Sequence, residues 1–306
     1  MHKAQYPQPF ESRTFMPNRS FLSPALLLAA LLAVCLTAVH AQNPPASPAA
    51  QAQSQPAATP GPYDAMLTKA GKLYYSSAKD ELAAFDCAVH PDWHTLFVTA
   101  QKGAAVAEDD PRIVLLKTVN ITLHGRLKGS STLDWNPPAH PGAPLDQDSV
   151  TLLDNMHSAL DQTLQGFMQF WTPFVDGSSI PSNSEGLQIT QNDSGYALHA
   201  EQGDTKVTEL IDNNLILQHF DVVLNGTSIK FEPSYKTTAK GLLVNEFQAH
   251  ILPAGAPPEQ VQDMHVSIEY QTLDGFPIPA RLNMSVANSG TLNFVMDGCS
   301  VSRSSK

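Results

Sequence analysis

The chain is poor in the residues that announce chemistry. It has 3 cysteines and 3 tryptophans in 306 residues, and only 15% of its residues are charged. It contains no Gly-x-Ser-x-Gly elbow, no His-Glu-x-x-His, no P-loop and no dinucleotide-binding glycine pattern. The hydrolytic, zinc-dependent and nucleotide-binding classes that rely on those motifs therefore find no support. A Cys-x-x-Cys pair is absent too, which removes thioredoxin-type exchange. Basic residues are few: 18 Lys and Arg stand against 29 Asp and Glu, for a formal charge of −11. So acidic a surface is repelled by phosphate backbones and anionic lipid surfaces, which argues against nucleic acid as a partner. Carboxylates are plentiful but scattered, so no acid–base pair is implied. The expectation is a protein that is not an enzyme and needs no cofactor.

Long apolar runs are scarce as well. One stands out, Phe21 to Val39, preceded by Arg13 and Arg19 and ending at Val39-His40-Ala41, a signal-peptidase type of ending. Residues 1–41 read as an export signal cleaved near Ala41, with Met16 as a start that would make it compact. That places the mature protein in the periplasm or outside the cell. Two alternatives stay open. A retained anchor is one, although Pro24 interrupts the run and Ala25 to Val39 is short for spanning. Lipidation at Cys35 is the other, because Leu32-Ala33-Val34-Cys35 resembles a lipobox, though with a poor residue before the cysteine. Loss of residues 1–41 removes Lys3, Arg13, Arg19 and Glu11 and takes the charge to −13. Residues 42–62, rich in Pro, Ala, Gln and Ser, read as a flexible linker. Residues 63–306 are left as one domain.

Cleavage leaves two cysteines, Cys87 and Cys299. An even number in an exported protein suggests a disulfide, here across 212 positions. In the chain-entropy model so long a loop contributes about 4 to 5 kcal/mol. Two buried thiols are the alternative.

What the chain does have is alternation. Met264 to Thr272, Phe276 to Val286 and Thr291 to Val301 each keep a period of two, the mark of strands with one face on a core and one in water. Matching their inward residues predicts a three-residue loop, Leu273-Asp274-Gly275, and a second at Asn288-Ser289-Gly290. The same register sets Pro277 and Pro279 toward Gly298 and Cys299, where no ladder bond can form. A bulge is expected at Asp297-Gly298, with Cys299 and Val301 turned inward. Upstream, Leu115 to Leu127 alternates and reads as one strand, with Leu133 and Trp135 as a candidate extension. Before it, Leu82 to Val89 reads as a first strand and Pro91-Asp92-Trp93 as the opening of a short helix to Gln101. Further strands are read at Leu187–Ile189, Tyr196–Glu201, Thr205–Asp212, Leu215–Leu224, Ile229 up to Pro233, and Gly241–Leu252. Asn225-Gly226 is the plainest hairpin turn.

Two segments have helical spacing. Met66, Leu67, Ala70, Leu73 and Tyr74 predict a short helix near the start of the domain. Leu153, Met156, Leu160, Leu164, Phe167, Trp171 and Phe174 predict one long helix with a wide apolar stripe, capped by Asp148 and ended by Pro173. The fold class is α+β: a strongly curved antiparallel sheet packed around the long helix and the shorter N-terminal one. His90 and His94 flank Pro91, which breaks the helix that would align them, so no metal site is read there. Pairing Phe247 with Ile268 and Ala249 with Val266 would set His250 opposite His265 on the outer face. Facing imidazoles can respond to pH or bind a metal, although two solvated histidines fit the pattern as well.

Thr205 to Asp212 (TKVTELID), the turn Asn225-Gly226 and Val266 to Met284 (VSIEYQTLDGFPIPARLNM), in a helix–strand–helix–meander layout over Tyr63 to Val301, resemble the periplasmic lipoprotein carriers of the LolA-like fold. The resemblance implies a half-barrel with a hydrophobic cavity for lipid or lipoprotein acyl chains. The lid-closing arginine of that family has no recognisable counterpart; Arg112 and Arg126 are the early-strand candidates. The expected function is an exported, monomeric envelope protein that binds a lipophilic ligand on the concave face of the sheet. Leu160, Phe167, Trp171, Phe174, Phe276, Ile278 and Leu282 are its candidate ligand-binding residues. The alternative is a structural or partner-binding envelope protein with a filled core.

Overall fold

The computed structural model describes residues 61–304, apart from 102, 104, 138–144 and 288–289. The export signal, Cys35, nearly all of the linker, the prolines at 138, 141 and 144, and Asn288-Ser289 lie outside the described residues. Helix α1 (Asp64–Gly71) leads into strand β1 (Leu82–Pro91), helices α2 (Trp93–Ala100) and α3 (Pro111–Lys117), and the hairpin β2 (Asn120–Arg126) and β3 (Thr132–Asn136). The long helix α4 (Gln147–Asp176) follows. Then come β4 (Gln188–Asn192), β5 (Gly195–Gln202), β6 (Thr205–Asp212), β7 (Leu217–Leu224), β8 (Thr227–Thr238) and β9 (Gly241–Leu252). Strands β10 (Gln262–Leu273), β11 (Phe276–Val286) and β12 (Gly290–Arg303) close the chain.

All of these strands form one 12-stranded sheet, ordered β3-β2-β1-β12-β11-β10-β9-β8-β7-β6-β5-β4, with every pair antiparallel. From β4 to β12 the chain meanders, and its last strand pairs back onto β1. With the helices this is an α+β fold. Cys87 on β1 and Cys299 on β12 are joined by a disulfide across 212 positions, as expected. Two β12 residues, Gly298 and Cys299, fit between the partners of Asp86 and Ala88, so the bulge stands opposite Cys87. Gly298 takes the left-handed conformation there (φ 56°). The β11–β12 ladder stops at Arg281↔Val295, short of Pro279 and Pro277. The prolines sit where pairing has lapsed, as the sequence predicts.

The first hairpin differs from the expectation. Leu273 pairs with Phe276, so the turn is the two-residue Asp274-Gly275, both with positive φ (51° and 86°). That turn alone would set inward Ile268 against outward Arg281. A bulge at Ala280 shifts the register by one, and Ile268 meets Leu282 instead. The β9–β10 pairing also differs, by two residues: Phe247 faces Val266 and Ala249 faces Met264. A slip of two keeps every side chain on its face, so amphipathic patterning cannot detect it.

Three helix readings are corrected. The cap of α4 is Asp146, whose carboxylate accepts from Ser149 N at 2.7 Å, and Asp148 falls inside the first turn. Pro173 lies within α4, which runs on to Asp176 even though the proline has no N–H to give the carbonyl four residues earlier. Residues 115–117, read as the start of a strand, instead end helix α3: Asp110 caps it, Pro111 takes the first position, and Ile113 and Leu116 point to the core. Trp135 is likewise no extension of β2 but part of the separate strand β3.

Candidate ligand cleft

Helix α4 covers one face of the sheet, the inner face. All seven residues expected to line a cavity belong to a single core: Leu160, Phe167, Trp171, Phe174, Phe276, Ile278 and Leu282 are each 5% exposed or less. Phe167 and Trp171 stack with centroids 6.2 Å apart, and Phe85 of β1 meets Trp171 edge-on at 5.9 Å. Trp171 Nε1 donates to the Tyr270 hydroxyl at 2.9 Å, which in turn donates to the Val244 carbonyl at 2.6 Å. Every polar atom in that chain has a partner. Burial holds the Tyr270 phenol well above its ordinary pKa.

One turn along the helix, Phe170 gathers a second aromatic group. Its ring lies 5.0 Å from Phe174 and Phe231, 4.0 Å from Phe247 and 6.5 Å from Phe220. Phe170 is absent from the sequence-stripe reading because that stripe stepped from Phe167 to Trp171, although 167, 170, 171 and 174 share one arc of the helix.

Beside this group the inner face has a small cleft of about 100 Å³, between the last turns of α4 and strands β6 and β7. Phe170, Phe174, Val207, Phe220 and Val222 make its apolar wall, and Ser179 and Glu209 also reach it. Of the seven candidates only Phe174 lines it. Glu209 is paired between Leu198 and Phe220, both inward and buried, so its carboxyl projects into the apolar side. Its stem keeps partial exposure along the cleft, but Oε2 is shut off from solvent and has no hydrogen-bond partner. Desolvation pushes its pKa up to about 8. The hydroxyls of Ser179 and Tyr235 are buried and unpartnered too. Tyr235 has Ser179, Tyr74 and Glu209 as polar neighbours, and the Tyr74 hydroxyl accepts from Leu217 N at 2.7 Å. Burial raises both phenols, Tyr74 to about 12. Glu209 was legible in principle: in TKVTELID it stands in phase with Val207 and Ile211, an acid in an apolar period.

The outer face is polar. A broad cleft of about 930 Å³ there is lined by Thr99, Gln248, His250, Asp263, His265 and Thr291, among others. His250 and His265 do not face each other: they oppose Asp263 and Gln248. His250 Nδ1 meets Asp263 at 2.7 Å, and His265 Nε2 meets Glu246 at 2.5 Å, so each imidazole has its own carboxylate. His90 and His94 are also separate, the first bonded to Asp297 and the second to the Val106 carbonyl. Among the described residues no three His, Cys, Asp or Glu gather as metal ligands, and no helix is long and apolar enough to cross a membrane. A further cleft of about 400 Å³ beside α4 is lined by Arg126, Gln165, Gln169 and Asp176, among others. Arg126, a sequence candidate for the carrier arginine, reaches this cleft, whereas Arg112 pairs with Asp110 at 2.7 Å. In comparison with known proteins, the chain matches no protein-family model and no curated protein.

Proposed function

We propose that this is an exported cell-envelope protein that binds a lipophilic ligand on the inner face of a half-barrel. The ligand enters at the cleft between the end of α4 and strands β6–β7. The observation that carries this reading is Glu209 Oε2, a buried carboxyl oxygen without a hydrogen-bond partner in the wall of an apolar cleft that Ser179 also lines, with the buried Tyr235 hydroxyl among its polar neighbours. Buried polar groups in a core that only fills space are hydrogen-bonded, because each one left alone costs about 1–3 kcal/mol. Curling of the sheet is supported by neighbouring residues of α4. Phe170 touches β7 while Trp171 touches β1, strands six places apart in the sheet. Six strand spacings of about 4.8 Å exceed the reach of adjacent side chains unless the sheet wraps around the helix.

A cleft of about 100 Å³ holds a head group and little more. An acyl chain would take the place of α4 side chains, so the helix must shift. Pro173, which lacks an N–H in the last turns, makes that end the easier one to release. The disulfide suits an oxidising compartment outside the cytoplasm. Mass spectrometry of protein purified without detergent tests the reading directly: a co-purifying lipid is expected, together with saturable binding of a fluorescent acyl probe. Absence of both overturns it. A second reading, a structural or partner-binding envelope protein, is favoured by the complete burial of Leu160, Phe167, Trp171, Phe276, Ile278 and Leu282. It predicts that neither assay responds.

A further inference from the structure

Within the binding reading above, on which this step rests, we propose that Glu209 selects the ligand's head group. The geometry points to a cationic amine: an ammonium carried on an apolar body, paired with the Glu209 carboxylate between the faces of Phe170, Phe174 and Phe220.

Three features of the cleft converge on that chemistry. The first is the lone acid. Glu209 is pushed up to about 8 by desolvation, and among the described residues no cation pairs with it. A carboxyl in an apolar wall stays neutral unless something brings a positive charge to it. A ligand ammonium does so, and its charge-assisted hydrogen bond would satisfy Oε2, which has no partner in the protein. The second feature is the aromatic wall. Phe174 lies 5.0 Å from Phe170 and 6.0 Å from Phe220, and ring faces attract cations while accommodating alkyl groups. The third is the remaining polar rim. Ser179 and Tyr235 each offer a hydroxyl without a partner, and an ammonium carries three donors to share among such acceptors. An anionic head brings no charge that pairs with Glu209: it would hold the carboxyl in its neutral form and lose the ion pair that an ammonium gains, and Tyr74 and Tyr235 are the other titratable groups facing the acid. The formal charge of −11 adds a general attraction for cations over anions.

The test uses octylamine, octanol and octanoate, which share one chain and differ in the head. Their affinities are measured by calorimetry at pH 8 on the intact disulfide-bonded protein and on Glu209→Gln. The expected result is that octylamine binds about tenfold more tightly than octanol, with octanoate weakest. In Glu209→Gln the advantage of the amine over the alcohol should disappear. A second measurement needs no variant. The Glu209 carboxyl, followed by carbon NMR, should titrate near 8 in the free protein and at least about one unit lower when saturated with octylamine. Equal binding of amine and alcohol by the wild-type protein, or an unmoved Glu209 titration, overturns the amine assignment and leaves the binding reading standing. If none of the three compounds binds, the binding reading itself falls, and this assignment falls with it.

Discussion

Two polar intrusions into the same apolar core are handled in opposite ways. Around Trp171 the indole N–H, the Tyr270 hydroxyl and the Val244 carbonyl form a closed relay, and nothing is left over. Three residues further along α4, Phe174 borders a cleft in whose wall Ser179 and Glu209 each leave a buried atom unpaired. Both sets are buried and sit among aromatic rings beside the long helix, the first against β9 and β10 and the second against β6 and β8. The difference is in what each can still do. A closed relay fixes one arrangement of the core; an open one keeps hydrogen-bonding capacity that only a further group can use.

Substitutions can break that contrast or sharpen it. The largest effect is expected for Trp171→Ala. It removes a fully buried indole wedged against Phe85 and Phe167, and should cost about 3–5 kcal/mol, read from the urea midpoint. Tyr270→Phe should cost about 2 kcal/mol, since it orphans the Trp171 N–H and the Val244 carbonyl together. If it were harmless, the relay would not be a structural device.

Glu209→Gln probes the open side through pH. Burial raises the folded carboxyl from an ordinary 4.5 to about 8, so the native state holds its proton more tightly than the unfolded chain. Wild-type stability should therefore fall as pH climbs from about 4.5 to about 8, by up to roughly 1.4 kcal/mol per unit. The variant should lose that slope, and urea unfolding at pH 5 and pH 8 checks it. Tyr235→Phe, the counterpart of Tyr270→Phe, should shift stability by no more than about 0.5 kcal/mol, because its hydroxyl makes no well-formed hydrogen bond and has only Ser179 and Tyr74 close to it. A cost as large as that of Tyr270→Phe would erase the distinction between the two regions.

The smallest effect is expected on the outer face, at His124. Its ring nitrogens donate to the carboxylates of Asp86, the larger effect, and Asp134, and these hydrogen bonds raise its pKa above the ordinary 6.5. Its contribution is full below 6.5 and fades as pH rises through the folded value, so His124→Gln should be destabilising at pH 6 and neutral at pH 9. The imidazole and its partners are partly solvated, and the change should stay within a few tenths of a kcal/mol by urea titration.

Much of this architecture is legible in the order of the residues, and the failures have physical causes. Period-two patterns place β6 and β9 with the bounds seen here, and the prolines at 277 and 279 mark where the β11–β12 ladder stops. Patterning is blind to a compensated error, however. A two-residue turn plus a bulge at Ala280 and a three-residue loop without one bring the same inward residues together, and only the backbone distinguishes them. The two-residue slip between β9 and β10 is hidden for the same reason, and with it the separation of His250 from His265. Helix α3 was concealed because Ile113 and Leu116 precede a truly alternating strand, although Asp110-Pro111 is a helix start in its own right. The cleft was the hardest feature to read. Glu209, Ser179 and Tyr235 come from distant stretches, and nothing local to any of them says that their side chains meet.

The disulfide between β1 and β12 also bears on the order of events in time. β1 is made early, yet its partner on one side, β12, follows about 200 residues later, and the two cysteines stand 212 positions apart. Until β12 is synthesised, β1 can pair only with β2, and the three-stranded piece β1–β3 has an open edge beside a meander that can grow without it. Sheets whose key pairing spans so much sequence form slowly, because loop closure is paid in entropy before the contacts return it. Strand β12 therefore acts as a clasp: the sheet is not complete until β12 arrives, and the bond at Cys87 then keeps that late joint from reopening.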